Sequence, residues 1–107
     1  MNRSEAVESF YTTRKWRNCR KAYAKSKGNL CERCLKRGII NPGTKEQPLE
    51  THHKIPLTDD NINDPSVTMN WNNLELLCKK CHDEERERKP KRWFLTADGK
   101  ISVGDPP

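Results

Sequence analysis

Apolar positions along this chain are sparse and fall into a few short patterned groups. From Thr13 to Lys27, Trp16, Cys19 and Tyr23 recur at i, i+3 and i+7 with Ala22 alongside, while Arg14, Lys15, Arg17, Arg20, Lys21 and Lys25 fill most other positions. That period predicts a helix with one apolar stripe and a broad basic surround. Thr12 or Thr13 can cap its start, and Gly28 suits its end. Phe10 and Tyr11, just before it, are expected to fold back as a hydrophobic anchor. Leu49 to His53 reads as a short strand ended by Pro56, and Leu74 to Leu77 as a second. Residues 58–73 between them are rich in Asp and Asn, which predicts a long loop with one helical turn after Asp64-Pro65. A loop of that length usually has a functional cause. From Lys79 the chain turns helical and charged up to Pro90, with Glu84 and Arg88 spaced as an i,i+4 pair. Asp98-Gly99, flanked by Leu95 and Ile101, suggests a weak hairpin or loose tail, and Pro106-Pro107 a frayed end.

Composition makes this pattern look under-stapled. Leu, Ile, Val and Phe account for 18 of 107 residues, below the roughly 20% at which a highly charged chain becomes suspect as disordered. Mean hydropathy is −1.10. A core this thin calls for another staple, and five Cys supply candidates. No apolar stretch approaches the ~18 residues that span a membrane. Met1 to Glu5 lack the apolar region of a secretory signal, so a cytoplasmic, reducing location is expected, with metal-bound or free thiols rather than disulfides. The formal charge is +6, and residues 1–30 hold eight Lys/Arg against two Glu. That asymmetry suits an acidic polymer, by default nucleic acid, with a merely solvated surface as the alternative.

Two Cys-x-x-Cys pairs, Cys31/Cys34 and Cys78/Cys81, carry the strongest chemical signal. Two residues between thiolates let one tight turn offer both sulfurs to a tetrahedral ion about 2.3 Å away. Two such knuckles close a four-sulfur structural Zn²⁺ shell, whose binding energy offsets the thin core. A redox pair or two disulfides is the alternative. Cys19 lies on the helix stripe and reads as a buried small hydrophobe. All three histidines, His52, His53 and His82, lie inside or touch the span clipped by the knuckles. His52 and His53 are adjacent on a strand, so they point to opposite faces. One can bind metal with His82 while the other faces substrate; alternatively, His52 or His82 replaces a Cys in the zinc shell.

The segments Cys31-x-x-Cys34, Thr51-His52-His53-Lys54-Ile55-Pro56-Leu57 and Asn73-Leu74-Glu75-Leu76-Leu77-Cys78-Lys79-Lys80-Cys81-His82 together resemble HNH endonucleases with a four-Cys zinc site. The lead-in Phe10-Tyr11-Thr12-Thr13-Arg14-Lys15-Trp16-Arg17 is similar to small phage HNH proteins associated with terminase. The resemblance implies a small zinc-stabilised α+β domain built on a ββα-metal (HNH/His-Me) finger with an N-terminal basic helix. Its expected parts are an N-terminal basic helical extension over 1–30, a zinc-stapled nuclease core over 31–92, and a C-terminal tail or hairpin over 93–107.

Carried over residue by residue, the resemblance makes His53 the general base, with Asn73 bracing the loop that bears it. His52 and His82 become ligands of a catalytic divalent cation. His52 stands where the family more often has Asp, which lowers the site's negative charge and favours Mn²⁺, Ni²⁺, Co²⁺ or Zn²⁺ over Mg²⁺. The implied activity is metal-dependent hydrolysis of phosphodiester bonds in double-stranded DNA, with phage terminase and portal proteins as further partners. Arg14, Lys15, Arg17, Arg20 and Lys21, and the run Arg86, Arg88, Lys89, Lys91 and Arg92, are expected to hold the DNA backbone. The rival readings are a zinc-stapled DNA-binding module without catalysis and an adaptor for the packaging machinery.

Overall fold

A computed structural model describes residues 4–87 and 93–103. The basic helix forms as the stripe predicts. It is α2 (Arg14–Ser26), with the Thr13 side chain accepting from the Trp16 backbone N–H at its start. The helix closes where Gly28, at φ +70°, and Asn29, at φ +57°, take left-handed backbone. There Gly28 N–H donates to Lys25 O and Asn29 N–H to Ala24 O, which satisfies carbonyls left open at a helix end. Trp16 and Tyr23 are buried, and Ala24 joins the packed face. Ala22, expected on that stripe, is exposed.

Two short helices lay beyond the reach of the periodicity. Phe10 and Tyr11 do pack back, but from the end of a seven-residue helix, α1 (Glu5–Tyr11), capped by the Ser4 side chain accepting from Val7 N–H. The helix α3 (Glu32–Lys36) starts just after the first knuckle cysteine, so that Cys31 precedes it and Cys34 lies within it. Helices of five to seven residues cannot persist by propensity alone. The caps and the packing of α1 against α2 and of α3 against the sheet hold them in place.

The centre is a ββα unit. Strand β1 (Glu50–His53) pairs antiparallel with β2 (Leu74–Leu77), placing His52 opposite Glu75 and His53 opposite Leu74. Between them the long polar loop contains the expected helical turn, α4 (Pro65–Thr68), capped by Asp64, and a 3₁₀ turn over Trp71–Asn73. Every residue of β2 is buried, because its two faces meet different partners. Leu74 and Leu76 pack under Trp16 and Tyr23 of α2, while Leu77 packs with Cys31, Cys34, Cys78 and Cys81. The buried Glu75 is paired with Arg33 of α3 at 3.2 Å. Helix α5 (Lys79–Glu87) then rests against both strands.

A polar link ties these layers together. The Tyr23 hydroxyl lies 2.6 Å from Glu32 Oε2 and 2.8 Å from the Leu74 carbonyl, and the same carboxylate oxygen accepts from Leu76 N–H at 2.6 Å. Burial, then the hydrogen bond to Glu32 and the negative charge of Glu32 and Glu75, push the Tyr23 hydroxyl well above the ordinary phenol range. It stays a neutral donor.

The C-terminal pattern resolves as a hairpin of β3 (Trp93–Leu95) and β4 (Ile101–Val103), paired antiparallel. Its turn is tied to the core where the Asn70 and Asn72 amides donate to Gly99 O at 2.7 and 3.1 Å. Cys19 is partly rather than fully buried, with its thiol 3.9 Å from the Met69 carbonyl. The side chains of the basic run from Arg86 to Arg92, together with Pro90, Pro106 and Pro107, lie outside the described residues. No described helix is long and apolar enough to cross a membrane.

Candidate active site and zinc centre

The two knuckles meet. The ligand atoms of Cys31, Cys34, Cys78 and Cys81 all lie within 4.8 Å of one another, and all four residues are buried. Cys34 Sγ is 3.9 Å from both Cys78 Sγ and Cys81 Sγ. A tetrahedral zinc with bonds of about 2.3 Å needs sulfurs about 3.8 Å apart. A disulfide needs about 2.05 Å. The spacing therefore fits zinc, and the four thiols are free of one another. Asn41 Nδ2 donates to Cys34 Sγ at 3.6 Å, a partner suited to a thiolate. At Cys31 burial pushes the thiol up, but hydrogen bonds from the Cys34 and Cys78 backbone and the neighbouring thiols outweigh it and bring it to about 7. Burial and the other sulfurs push Cys81 the opposite way. Crowded thiols resist joint ionisation, and a divalent cation supplies the missing charge.

His53, at the end of β1, is only 4% exposed. Its ring stacks on Trp16 at a centroid distance of 4.7 Å and an interplanar angle of 30°. Nε2 lies 2.9 Å from the Thr68 carbonyl oxygen, and Nδ1 lies 3.2 Å from the Tyr11 hydroxyl. A carbonyl can only accept, so Nε2 carries the proton and Nδ1 keeps its lone pair in the neutral ring. The imidazole is thus held as a base, with Nδ1 its acceptor atom.

Asn73 is fully buried beside it. Its Oδ1 accepts from Ile55 N–H at 2.7 Å, and its Nδ2 donates to Val67 O at 2.8 Å and Ile55 O at 3.3 Å. Lys54 N–H also donates to the Asn73 carbonyl. One side chain therefore joins the segment leaving β1 to α4, whose Thr68 carbonyl holds His53.

His52 points to the other strand face, as alternation requires. Its ring meets that of His82, in the first turn of α5, at 5.3 Å and 86°. The zinc knuckle fixes that turn, since His82 N–H donates to Cys78 O at 2.9 Å. Glu50, two residues before His52 and on the same strand face, brings Oε2 to 3.3 Å from His82 Nδ1. Imidazole and carboxylate are donors that a divalent ion accepts, but among the described residues only the four cysteines bring three or more ligand atoms within 4.8 Å of one another. Sequence reasoning did not place Glu50 or the Thr68 carbonyl at the site, and it gave Tyr11 only an anchoring part. Strand alternation was the signal available for Glu50; no local pattern marked the Thr68 carbonyl.

Glu50, His52, His53 and His82 border one cleft of about 690 Å³, with Tyr11, Trp16 and Arg20 on its walls. Arg20 also borders an adjoining groove of about 360 Å³ lined by Lys21, Lys45, Asn29 and Thr44. Arg14, Lys15 and Arg17 are exposed and line neither.

The family model for HNH endonucleases matches residues 31–88. A protein of Lactococcus phage SK1, "Probable HNH endonuclease", is 32% identical over 76 residues, or 71% of this chain and 73% of the phage protein. The crystal structure of the HNH endonuclease of deep-sea thermophilic bacteriophage GVE2, with manganese ion, matches with a TM-score of 0.59 at 28% identity. That match covers 75% of this chain and 77% of the GVE2 chain. With a family match over more than half its length and a ββα unit clasped by two cysteine knuckles, the chain belongs to the HNH endonuclease family.

Proposed function

We propose that the chain is a divalent-metal-dependent endonuclease that hydrolyses phosphodiester bonds of double-stranded DNA and leaves 5′-phosphate and 3′-hydroxyl ends. One observation carries the reading: a buried imidazole whose acceptor atom is Nδ1 borders the same cleft as His52, His82 and Glu50.

His53 is the general base, accepting at Nδ1 the proton lost by the attacking water. Donation from Nε2 to Thr68 O holds the ring in the tautomer that can do this, and it stabilises the imidazolium that forms. Asn73 keeps that carbonyl in register by tying α4 to residue 55. Arg20 sits where it can meet a phosphate in the cleft, and Lys21 and Lys45 extend the positive lining into the adjoining groove. His52 and His82, with the Glu50 carboxylate, would hold the divalent ion, which when bound supplies stabilisation of charge building on phosphate oxygens. Glu50 restores negative charge that a His at position 52 lacks, and this widens the acceptable ions to include Mg²⁺ beside Mn²⁺, Ni²⁺, Co²⁺ and Zn²⁺. The four cysteines hold structural Zn²⁺.

The phage relative and the lead-in Phe10 to Arg17 support a phage protein acting in the cytoplasm of a bacterial host, with terminase and portal proteins as partners in DNA packaging. Cleavage of supercoiled plasmid across a divalent-metal series, with EDTA as control, tests the nuclease reading. Cutting that depends on added ion supports it, and DNA binding without cutting under every ion overturns it. Addition of terminase and portal proteins to the same assay tests the packaging link, which fails if neither rate nor products change.

A further inference from the structure

Tyr11 ends α1, outside residues 31–88 that match the family. Its hydroxyl lies 3.2 Å from His53 Nδ1, and its ring borders the cleft shared by His52, His53 and His82. Because Nε2 already carries the ring proton and donates to Thr68, Tyr11 must donate its O–H to Nδ1. The atom that has to receive a proton from water is therefore occupied by a hydroxyl. That hydroxyl is held firmly. The Tyr11 ring packs edge-on against Phe10 and Trp16, both at 5.7 Å, and Trp16 covers the imidazole face. His53 itself is almost wholly buried, whereas Tyr11 is partly exposed. A phenol oxygen that donates one hydrogen bond keeps lone pairs to accept another.

We propose that Tyr11 is a catalytic residue that relays the proton between the attacking water and His53. The inference rests on the reading of His53 as the base. The water donates its proton to Tyr11 Oη as the Tyr11 proton passes to His53 Nδ1. The remaining hydroxide forms the new P–O bond with its electron pair. The 3′ oxygen leaves with the pair of the broken P–O bond and takes a proton from solvent. Tyr11 gives one proton and gains one, and His53 ends as imidazolium.

The test is single-turnover cleavage of plasmid by the parent protein and by Tyr11→Phe, which keeps the ring against Phe10 and Trp16. Zinc content and melting are measured to show that the fold persists, and rates are followed in mixtures of H₂O and D₂O. The relay predicts a loss of about 10- to 100-fold at saturating DNA with unchanged DNA affinity. That is less than the ~10²–10⁴ for loss of a base, because His53 remains and can take the proton of water directly. It also predicts a curved dependence on deuterium fraction in the parent, from two protons in flight, and a straight one in Tyr11→Phe. A parent-like or faster rate in Tyr11→Phe overturns the relay. So does a straight dependence in the parent, a result that needs no variant to fold. His53→Ala in the same assay separates the two claims. If it fails to cut while Tyr11→Phe cuts normally, only the relay falls; if it cuts normally, the base assignment falls as well.

Discussion

His53 Nε2 and the carbonyl oxygen of Thr68 lie 2.9 Å apart, although fifteen residues separate them in the chain. This contact decides which nitrogen of the imidazole can accept a proton. It depends on Asn73, which bonds both the segment after β1 and the carbonyl of Val67, next to Thr68.

His53→Ala should lose at least about 10²-fold in cleavage rate while retaining zinc, since the ring packs on Trp16 whereas the cysteines pack around Leu77. The buried ring also stacks on Trp16, so the variant should melt lower, with a loss of about 1–3 kcal/mol. Rates measured below its melting temperature separate chemistry from folding. A parent-like rate there would remove His53 from the mechanism.

Cys34→Ser or Cys78→Ser opens the sulfur shell and unties α3 from α5. Each should lose one zinc per chain by metal analysis and most of its folded signal by circular dichroism, because structural zinc contributes on the order of 10 kcal/mol in small domains. Unchanged melting in zinc-free protein would show that the core suffices alone.

His82→Ala removes a donor from the proposed second metal set, and Glu50→Gln removes its negative charge. Calorimetric titration with Mn²⁺ should show weaker binding, by about 10- to 100-fold for Glu50→Gln. His82→Ala should recover part of its cleavage at higher ion concentration, since His52 remains. If Glu50→Gln binds Mn²⁺ as tightly as the parent, Glu50 is only a surface partner of His82.

Arg20→Ala should weaken DNA binding more than Arg14→Ala or Arg17→Ala, because only Arg20 of the three borders the cleft. Each lost phosphate contact should flatten the log affinity against log salt slope by about 0.9. Equal slopes for all three variants would place the phosphate track elsewhere.

Tyr23→Phe removes the donor facing Glu32 and the Leu74 carbonyl. It should cost about 1–3 kcal/mol at neutral pH by denaturant unfolding. The Tyr23 hydroxyl is held above its unfolded value, near 10, so its stabilisation is complete below pH ~10 and is lost as pH rises further. The gap between parent and variant should shrink above that pH. A gap that stays constant would assign the loss to packing instead.

Local pattern was enough for whatever repeats within a few residues. The i, i+3, i+7 stripe of Trp16, Cys19 and Tyr23 marks α2, and Thr13 marks its start. The Cys-x-x-Cys spacing marks both zinc knuckles, since one tight turn suffices to converge two sulfurs. Alternation separates His52 from His53, and the motif around Asn73 and His82 points to the family. Short elements escaped because their stability is not local: α1 and α3 stand only where α2 and β2 support them. The site partners escaped for the same reason at longer range. Tyr11 reaches His53 across 42 residues, Thr68 reaches it across 15, and Glu50 finds His82 only once β1 and the knuckle are docked. Among the basic residues of α2, charge is identical in the sequence, and only the packing of Trp16 against His53 turns Arg20 toward the cleft. Residue type and spacing chose the chemistry; the closure of loops between distant segments chose which atoms face it.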